Sequence, residues 1–435
     1  MGENQIRLTE LYLNAVRADD HALRFSSFPV KTMVTTRSAD SAVTDSAAAG
    51  TALATGHKTN NGVISKDRRL KRAYATIAEK ARNKKMKVGI LTSVSINHAT
   101  PAAFYAHHNH RSMYYAIAMD LGPSGFDFFG GGGFNQPRGA SGNSMDAYVE
   151  TGKNGYQIIR GREALSAVRD RTSKLLVMHP ALLPAGEMPW AMEPAYRQFP
   201  LSEITQAAIA HLTSENGFFQ MVEGGKIDWA CHENDAGAMV HEVMAFNDVV
   251  KTAIEFYRKH PDETLIVVTA DHETGGLDLG KDLTRKSLRV SLLQHQKLAA
   301  ASLNAALYEQ FRSGKPSFEA AMKLVTRETG PGDESGGLVL DEEERLMLKQ
   351  AFAFMTGGSA GSLLNVSGYG GPERILQMGT LAIDILNRKA GIRWHSLSHS
   401  AANVPLYAIG AGAELFNREL DNTDVPGLIE QAMGW

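Results

Sequence analysis

Apolar, β-branched runs that stop abruptly in clusters of ionisable residues are the feature that most restricts how this chain can fold. Thr264-Leu265-Ile266-Val267-Val268-Thr269 runs into Ala270-Asp271-His272-Glu273-Thr274, and Phe218 to Val222 runs into Glu223-Gly224-Gly225-Lys226-Ile227-Asp228. Lys87 to Thr92 reads as a further buried strand. Between them lie stretches with helical spacing of apolar residues: Ile6–Ala18, Ala73–Asn83, a segment capped by Ser202 and reaching His211, and Ala236–Tyr257. Strands are also expected at Phe28–Thr36, Phe126–Phe129 and Val404–Ile409. This alternation predicts an α/β fold, with a mainly parallel central sheet, helices on both faces and a site at the C-terminal edge of the strands.

The pattern changes between Asp278 and Ala390. Helical segments at Gln296–Phe311, Phe318–Arg327, Asp341–Met355 and Glu373–Asn387 are separated by Gly, Ser and Pro breaks, without a convincing strand. Residues 1–279 and 391–435 therefore read as the α/β core, and 280–390 as a helical insertion. The run Gly130 to Gly133 reads as a loop after a strand and not as a phosphate cradle, because no Gly-Lys-Ser/Thr follows it.

Charge narrows the partners. A formal net charge of −2 with 21% charged residues offers no bulk attraction to nucleic acid or to a membrane surface, so binding has to come from local sites. The single cysteine, Cys231, rules out an intrachain disulfide and leaves the redox compartment undecided. No apolar run approaches the roughly 18 residues that span a bilayer, and the start Met1-Gly2-Glu3-Asn4 lacks a signal-peptide pattern.

Val43-Thr44-Asp45-Ser46, followed by the alanine-rich stretch to Gly56, reads as a helix opening on a serine. First-turn N–H groups have no intrahelical partner and attract anions, so Ser46 is a candidate nucleophile beside a phosphate site, against the plainer reading of a helix cap. Asp228 and His232, four residues apart, share a helix face and can share a cation. Asp271 and His272 at a strand end cost desolvation unless something pairs them. His395 and His399 precede the last strand. His107, His108 and His110 read as a solvated helix face without nearby carboxylates, whereas the neighbouring Arg111 offers a planar fork of donors for phosphate oxygens.

Together these motifs resemble the alkaline phosphatase family from Met1 to about Phe416. Thr44-Asp45-Ser46-Ala47-Ala48 is similar to its nucleophile motif, Thr100-Pro101-Ala102-Ala103 through Arg111 to its magnesium-threonine and phosphate-arginine segment, and Glu223, Asp228, His232 and Thr269-Ala270-Asp271-His272 to its metal motifs. His399 fits the remaining zinc histidine better than His395. The resemblance implies a phosphomonoesterase acting through a phosphoserine at Ser46, with Arg111 on the phosphate. One zinc is implied at Asp228, His232 and His399, a second at Asp271, His272 and Ser46, and a magnesium at Glu223 and Thr100. It also implies small phosphate monoesters and inorganic phosphate as ligands, a crown-like insertion supporting a homodimer, and a periplasmic or extracellular location.

Two departures accompany it. His98 and Trp229 stand where some members carry Asp and Lys, which bears on metal occupancy. Met1-Gly2 is similar to the tail of the family's Asp-Gly-Met-Gly motif, so the resemblance places the bridging aspartate and a central strand upstream of Met1, together with any signal peptide. The chain as written is then expected to hold the magnesium and second zinc poorly and to expose two sheet edges. Alternatives are a metal- or phosphate-binding fragment without turnover, and a phosphodiesterase, mutase or sulfatase on a similar core.

Overall fold

In the sheet strands, successive side chains point to opposite faces, and here both faces are apolar. The computed structural model describes residues 1–16, 22–170, 172–280, 288–314, 316–357 and 377–435. Its described strands are β1 (Val30–Thr35), β2 (Lys87–Thr92), β3 (Phe128–Gly131), β4 (Tyr156–Arg160), β5 (Lys174–Met178), β6 (Phe218–Glu223), β7 (Leu265–Val268), β8 (Glu273–Thr274), β9 (Leu277–Asp278), β10 (Arg393–Trp394), β11 (His399–Ser400), β12 (Val404–Gly410) and β13 (Leu420–Asp421). The larger sheet has the order β4-β5-β3-β2-β6 and is parallel throughout. Ile90, Phe129 and Leu176 face one core, with the helices Ile77–Asn83 and Tyr114–Ser124. Leu91, Phe128, Leu175 and Val177 face the other, against the helix Leu201–Leu212. Such two-sided burial is what a parallel sheet covered by helices requires.

A second sheet, β13-β1-β12-β7, holds β12 antiparallel to both neighbours. Two short antiparallel ladders, β8 with β11 and β9 with β10, connect the segment after β7 to the one before β12. β6 and β7 each end a sheet, with one strand neighbour apiece among the described residues.

Several boundaries differ from expectation for local reasons. The helix expected to be capped by Ser202 begins at Leu201, with Pro200 at its N-cap and no side-chain cap. The helix expected from Ala73 spans Ile77–Asn83, because Thr76 and Glu79 close a capping box at its head. The first helix runs Glu3–Val16, and residues 17 and 18 of the expected segment lie outside the described residues.

The glycine run is not simply a loop. Gly130 and Gly131 finish β3, and a Cβ on Gly131, whose φ is +106°, would sit 1.9 Å from the Thr92 carbonyl oxygen. Only glycine lets the two strand ends approach this closely. Gly131→Ala is therefore expected to destabilise the protein by more than about 2 kcal/mol, read from denaturant unfolding; an unchanged midpoint would remove the close-approach argument.

Within 280–390, the described helices are Ala300–Ser313, Phe318–Thr329, Glu342–Met355 and Met378–Ala390. Residues 373–376 of the last expected helix lie outside the described residues. These helices bury a cluster of their own around Leu303, Leu307, Val325, Leu348 and Ile385. They are tied to the core by Asp235, fully buried at the head of the helix Ala236–Tyr257. Its carboxylate accepts from Ala238 N (2.9 Å), Gln296 Nε2 (2.7 Å) and Ala300 N (2.8 Å).

Candidate active site

Ser46 is the first residue of the helix Ser46–Thr55, and nearly every residue of that helix is buried. Alanine, glycine and threonine are the side chains small enough for it: Gly50 packs so closely that an added Cβ would meet Ala103 at 3.1 Å. Asp45, not Ser46, caps the helix by accepting from Ala48 N at 3.0 Å. The Ser46 hydroxyl is thereby left for other work, and its Oγ lies 3.0 Å from His272 Nε2.

Asp45 has a second role that sequence reasoning did not find. Its Oδ2 accepts from Arg111 Nη1 and from Gly62 N, each at 3.0 Å, which fixes the guanidinium beside the helix head. The other arm, Nη2, lies 3.4 Å from His98 Nε2. Burial and the Arg111 charge push the His98 pKa down to about 3, so this ring is neutral and accepts from the arginine. His98 also meets Trp229 edge to face at 5.7 Å.

Asp228 and His232 sit on the helix Lys226–His232 that follows β6, with His232 Nε2 3.4 Å from Asp228 Oδ2, as the four-residue spacing predicts. His399 arrives by a different route. The β8–β11 ladder pairs it with Thr274 and stacks its ring on His272 with centroids 3.5 Å apart. His399 Nε2 then lies 3.0 Å from His232 Nε2 and 3.6 Å from Asp228 Oδ1. Ligand atoms of Asp228, His272 and His399 all fall within 4.8 Å of one another.

The hydrogen bonds of these rings test whether a cation fits. His232 Nδ1 lies 2.6 Å from the Leu397 carbonyl, and His399 Nδ1 lies 2.9 Å from the Thr44 carbonyl. A carbonyl only accepts, so each Nδ1 carries the proton and donates it. Both Nε2 lone pairs then face each other beside a carboxylate, an arrangement that repels unless positive charge sits among them. Burial would raise the Asp228 pKa, but its contact with His232 and the surrounding histidines hold it well below the usual carboxylate range. The residues fit a divalent metal such as zinc.

A second set adjoins the first. Asp271 Oδ2 lies 3.2 Å from His272 Nε2, on the same side as Ser46 Oγ. Burial drives the His272 pKa down to about 4, so the ring is neutral and available as a ligand. Thr274 Oγ1 donates to Asp228 Oδ1, linking the two sets; this hydroxyl is another residue the sequence did not mark. Thr100 Oγ1 donates to Asp271 Oδ2 at 3.4 Å and also hydrogen-bonds Glu223. Glu223 ends β6 opposite Thr92, whose hydroxyl donates to it at 2.5 Å. Burial and the nearby Asp271 charge raise the Glu223 pKa to about 7, the expected strain on a buried carboxylate beside another. Hard oxygens grouped this way suit magnesium. The α-ammonium of Met1 is also close, donating to the His272 carbonyl at 2.7 Å.

Other histidines lie outside the cluster. His395 lies away from it, largely exposed, with Asp278 at 3.4 Å. His107 and His108 are not a solvated helix face: both lie outside any helix and each has a carboxylate, Glu79 at 2.9 Å and Asp120 at 2.8 Å. Burial pulls the His107 pKa down, but the Glu79 hydrogen bond and charge outweigh it and raise it.

A serine at a helix head, an arginine fork beside it and two adjoining ligand sets at the strand ends define a hydrolase of phosphate esters. The chain matches the sequence model of the family described as alkaline phosphatase over residues 1–435. It is 30% identical to alkaline phosphatase 4 of Bacillus subtilis over 394 residues, covering 89% of this chain and 76% of that protein. Among solved structures it is similar to the cold-active alkaline phosphatase of the psychrophile Shewanella sp. (26% identity, TM-score 0.80, 99% of this chain and 96% of that one). It is also similar to the Thermus thermophilus alkaline phosphatase (25% identity, TM-score 0.79, 100% and 89%). The chain belongs to the alkaline phosphatase family. It is a phosphomonoesterase, and the reading as a binding fragment without turnover is not favoured. Divalent metal ions are consistent with that family. No helix among the described residues is long and apolar enough to cross a membrane.

Proposed function

We propose that the chain hydrolyses small phosphate monoesters through a phosphoserine at Ser46. The observation that carries this reading is the Ser46 hydroxyl at a buried helix head, 3.0 Å from His272 Nε2, with Arg111 tethered to the preceding residue. Ser46 Oγ gives up its proton to solvent as it attacks phosphorus, and the bond from phosphorus to the leaving oxygen breaks, that oxygen taking up a proton from water to depart as the alcohol. Water then attacks the phosphoserine, the P–Oγ bond breaks, and inorganic phosphate and the serine hydroxyl are regenerated. Arg111 offers two N–H groups to the non-bridging oxygens, and Asp45 and His98 orient it. Helix N–H groups behind Ser46 favour the same negative charge.

Asp228, His232 and His399 would hold one zinc, Asp271, His272 and Ser46 a second, and Glu223 with Thr100 a magnesium. Bound there, such ions supply Lewis acidity that lowers the pKa of the serine hydroxyl and of the incoming water. Residues 1–279 and 391–435 serve as the α/β core and 280–390 as a crown-like insertion. Likeness to the family supports a homodimer acting in the periplasm or outside the cell.

The test is hydrolysis of p-nitrophenyl phosphate by the protein loaded with zinc and magnesium. Release of nitrophenolate, its loss on chelation and its return with zinc are expected. No hydrolysis by the loaded protein overturns the reading, and activity indifferent to chelation overturns its metal component.

A further inference from the structure

Beside His232 the structure opens a cavity of about 450 Å³ that the chemistry above does not use. From Ser46 the contacts run to His272, then His399, then His232, and the cavity begins at the last of these. It therefore adjoins the ligand set that does not contain Ser46. In a displacement with attacking and leaving oxygens in line, the leaving alcohol points away from the nucleophile, so this is the space the alcohol enters.

The walls have a definite chemistry. Trp190 and Trp229 provide indole surface, and the helix Ala300–Ser313 contributes only small side chains, Ala301, Ser302 and Ala305, which is why room remains. Glu187 lines the same space. It is 8% exposed, and its Oε2 is buried with no hydrogen-bond partner among the described residues. A buried carboxylate with one oxygen unpartnered is costly unless positive charge lies close to it. Lys226 is one charge shared among Glu242, Glu187 and Glu193, and its Nζ donates to the Met188 carbonyl at 2.7 Å and lies 3.8 Å from the Trp190 ring centroid. Lys226 makes no ion pair within 4.0 Å among the described residues. An anion is disfavoured by Glu187, and a hydrated metal ion by the indole and alkyl walls. An organic cation satisfies both the carboxylate and the rings, since ammonium groups bind over indole faces next to negative charge.

We propose that this cavity is a specificity subsite for the leaving group, taking phosphate monoesters whose alcohol carries an ammonium group, with Glu187 and Trp229 as the recognising side chains. The proposal rests on the phosphomonoesterase reading for its placement, but its binding component can be measured separately. Phosphocholine is compared with 3,3-dimethylbutyl phosphate, in which an uncharged tert-butyl group replaces the trimethylammonium, using the metal-loaded full chain. Phosphocholine is expected to be favoured about tenfold in kcat/KM, and Glu187→Gln is expected to bring the ratio close to one.

In parallel, choline chloride is titrated into the protein while tryptophan fluorescence is followed. A saturable change is expected, and Ala305→Phe, which fills the cavity without touching Glu187, is expected to remove it. Equal rates for the two esters, or a preference that survives in both variants, would overturn the subsite. If neither ester nor p-nitrophenyl phosphate is hydrolysed, the functional reading fails, while choline binding still decides the cation site. Absence of a choline signal in the wild-type protein counts against it.

Discussion

The Ser46→Ala protein, loaded with zinc and magnesium, is expected to lose at least about 10⁴-fold in kcat for p-nitrophenyl phosphate and to form no phosphoenzyme. The substitution deletes one oxygen at the head of a helix that already consists largely of alanine, and Asp45, the actual cap, is untouched. Stability should hardly change, which makes the experiment clean: unfolding midpoints of the two proteins are expected to coincide. Acid quench with a ³²P-labelled substrate traps the intermediate in the wild-type protein, and peptide mapping should place the label on Ser46. Label elsewhere, or a rate within a few-fold of the wild type, would take Ser46 out of its role.

The second large effect is expected at Asp228. Replacing it by asparagine keeps the shape and an acceptor for the Thr274 hydroxyl, but removes the negative charge between three histidines. His232 and His399 would then point two lone pairs at each other with no anion to complete a cation site. Zinc affinity should fall by at least about 100-fold and activity with it. Elemental analysis after dialysis against a buffered zinc solution reads the first, and added zinc should restore part of the second. Full zinc content at limiting free metal would show that Asp228 is not a ligand.

How far the sequence reaches depends on whether partners lie within one element. Asp228 and His232 were legible because a helix repeats on nearly four residues, and Glu223, Asp271 and His272 because they stand at or just past the C-terminal ends of apolar strands. His399 could be assigned only through resemblance, since nothing local signals that the two-residue ladder with Thr274 carries it onto His272. The tie between Asp45 and Arg111 spans 66 residues, and that between His107 and Glu79 spans 28. No spacing rule connects such pairs. The strands Tyr156–Arg160 and Lys174–Met178 escaped for another reason: their apolar stretches, Ile158-Ile159 and Leu175 to Met178, are too short to tell a strand from a short buried helix.

The two carbonyls that receive the Nδ1 protons of His232 and His399 belong to Leu397 and Thr44, and they are main-chain atoms. Any amino acid at those positions presents the same acceptor. Substitution can therefore accumulate there without disturbing the tautomer of either histidine, whereas a one-residue insertion or deletion in either loop would displace the acceptor and release the ring. Among descendants of this chain, the orientation of the imidazoles is inherited through loop length and not through residue identity.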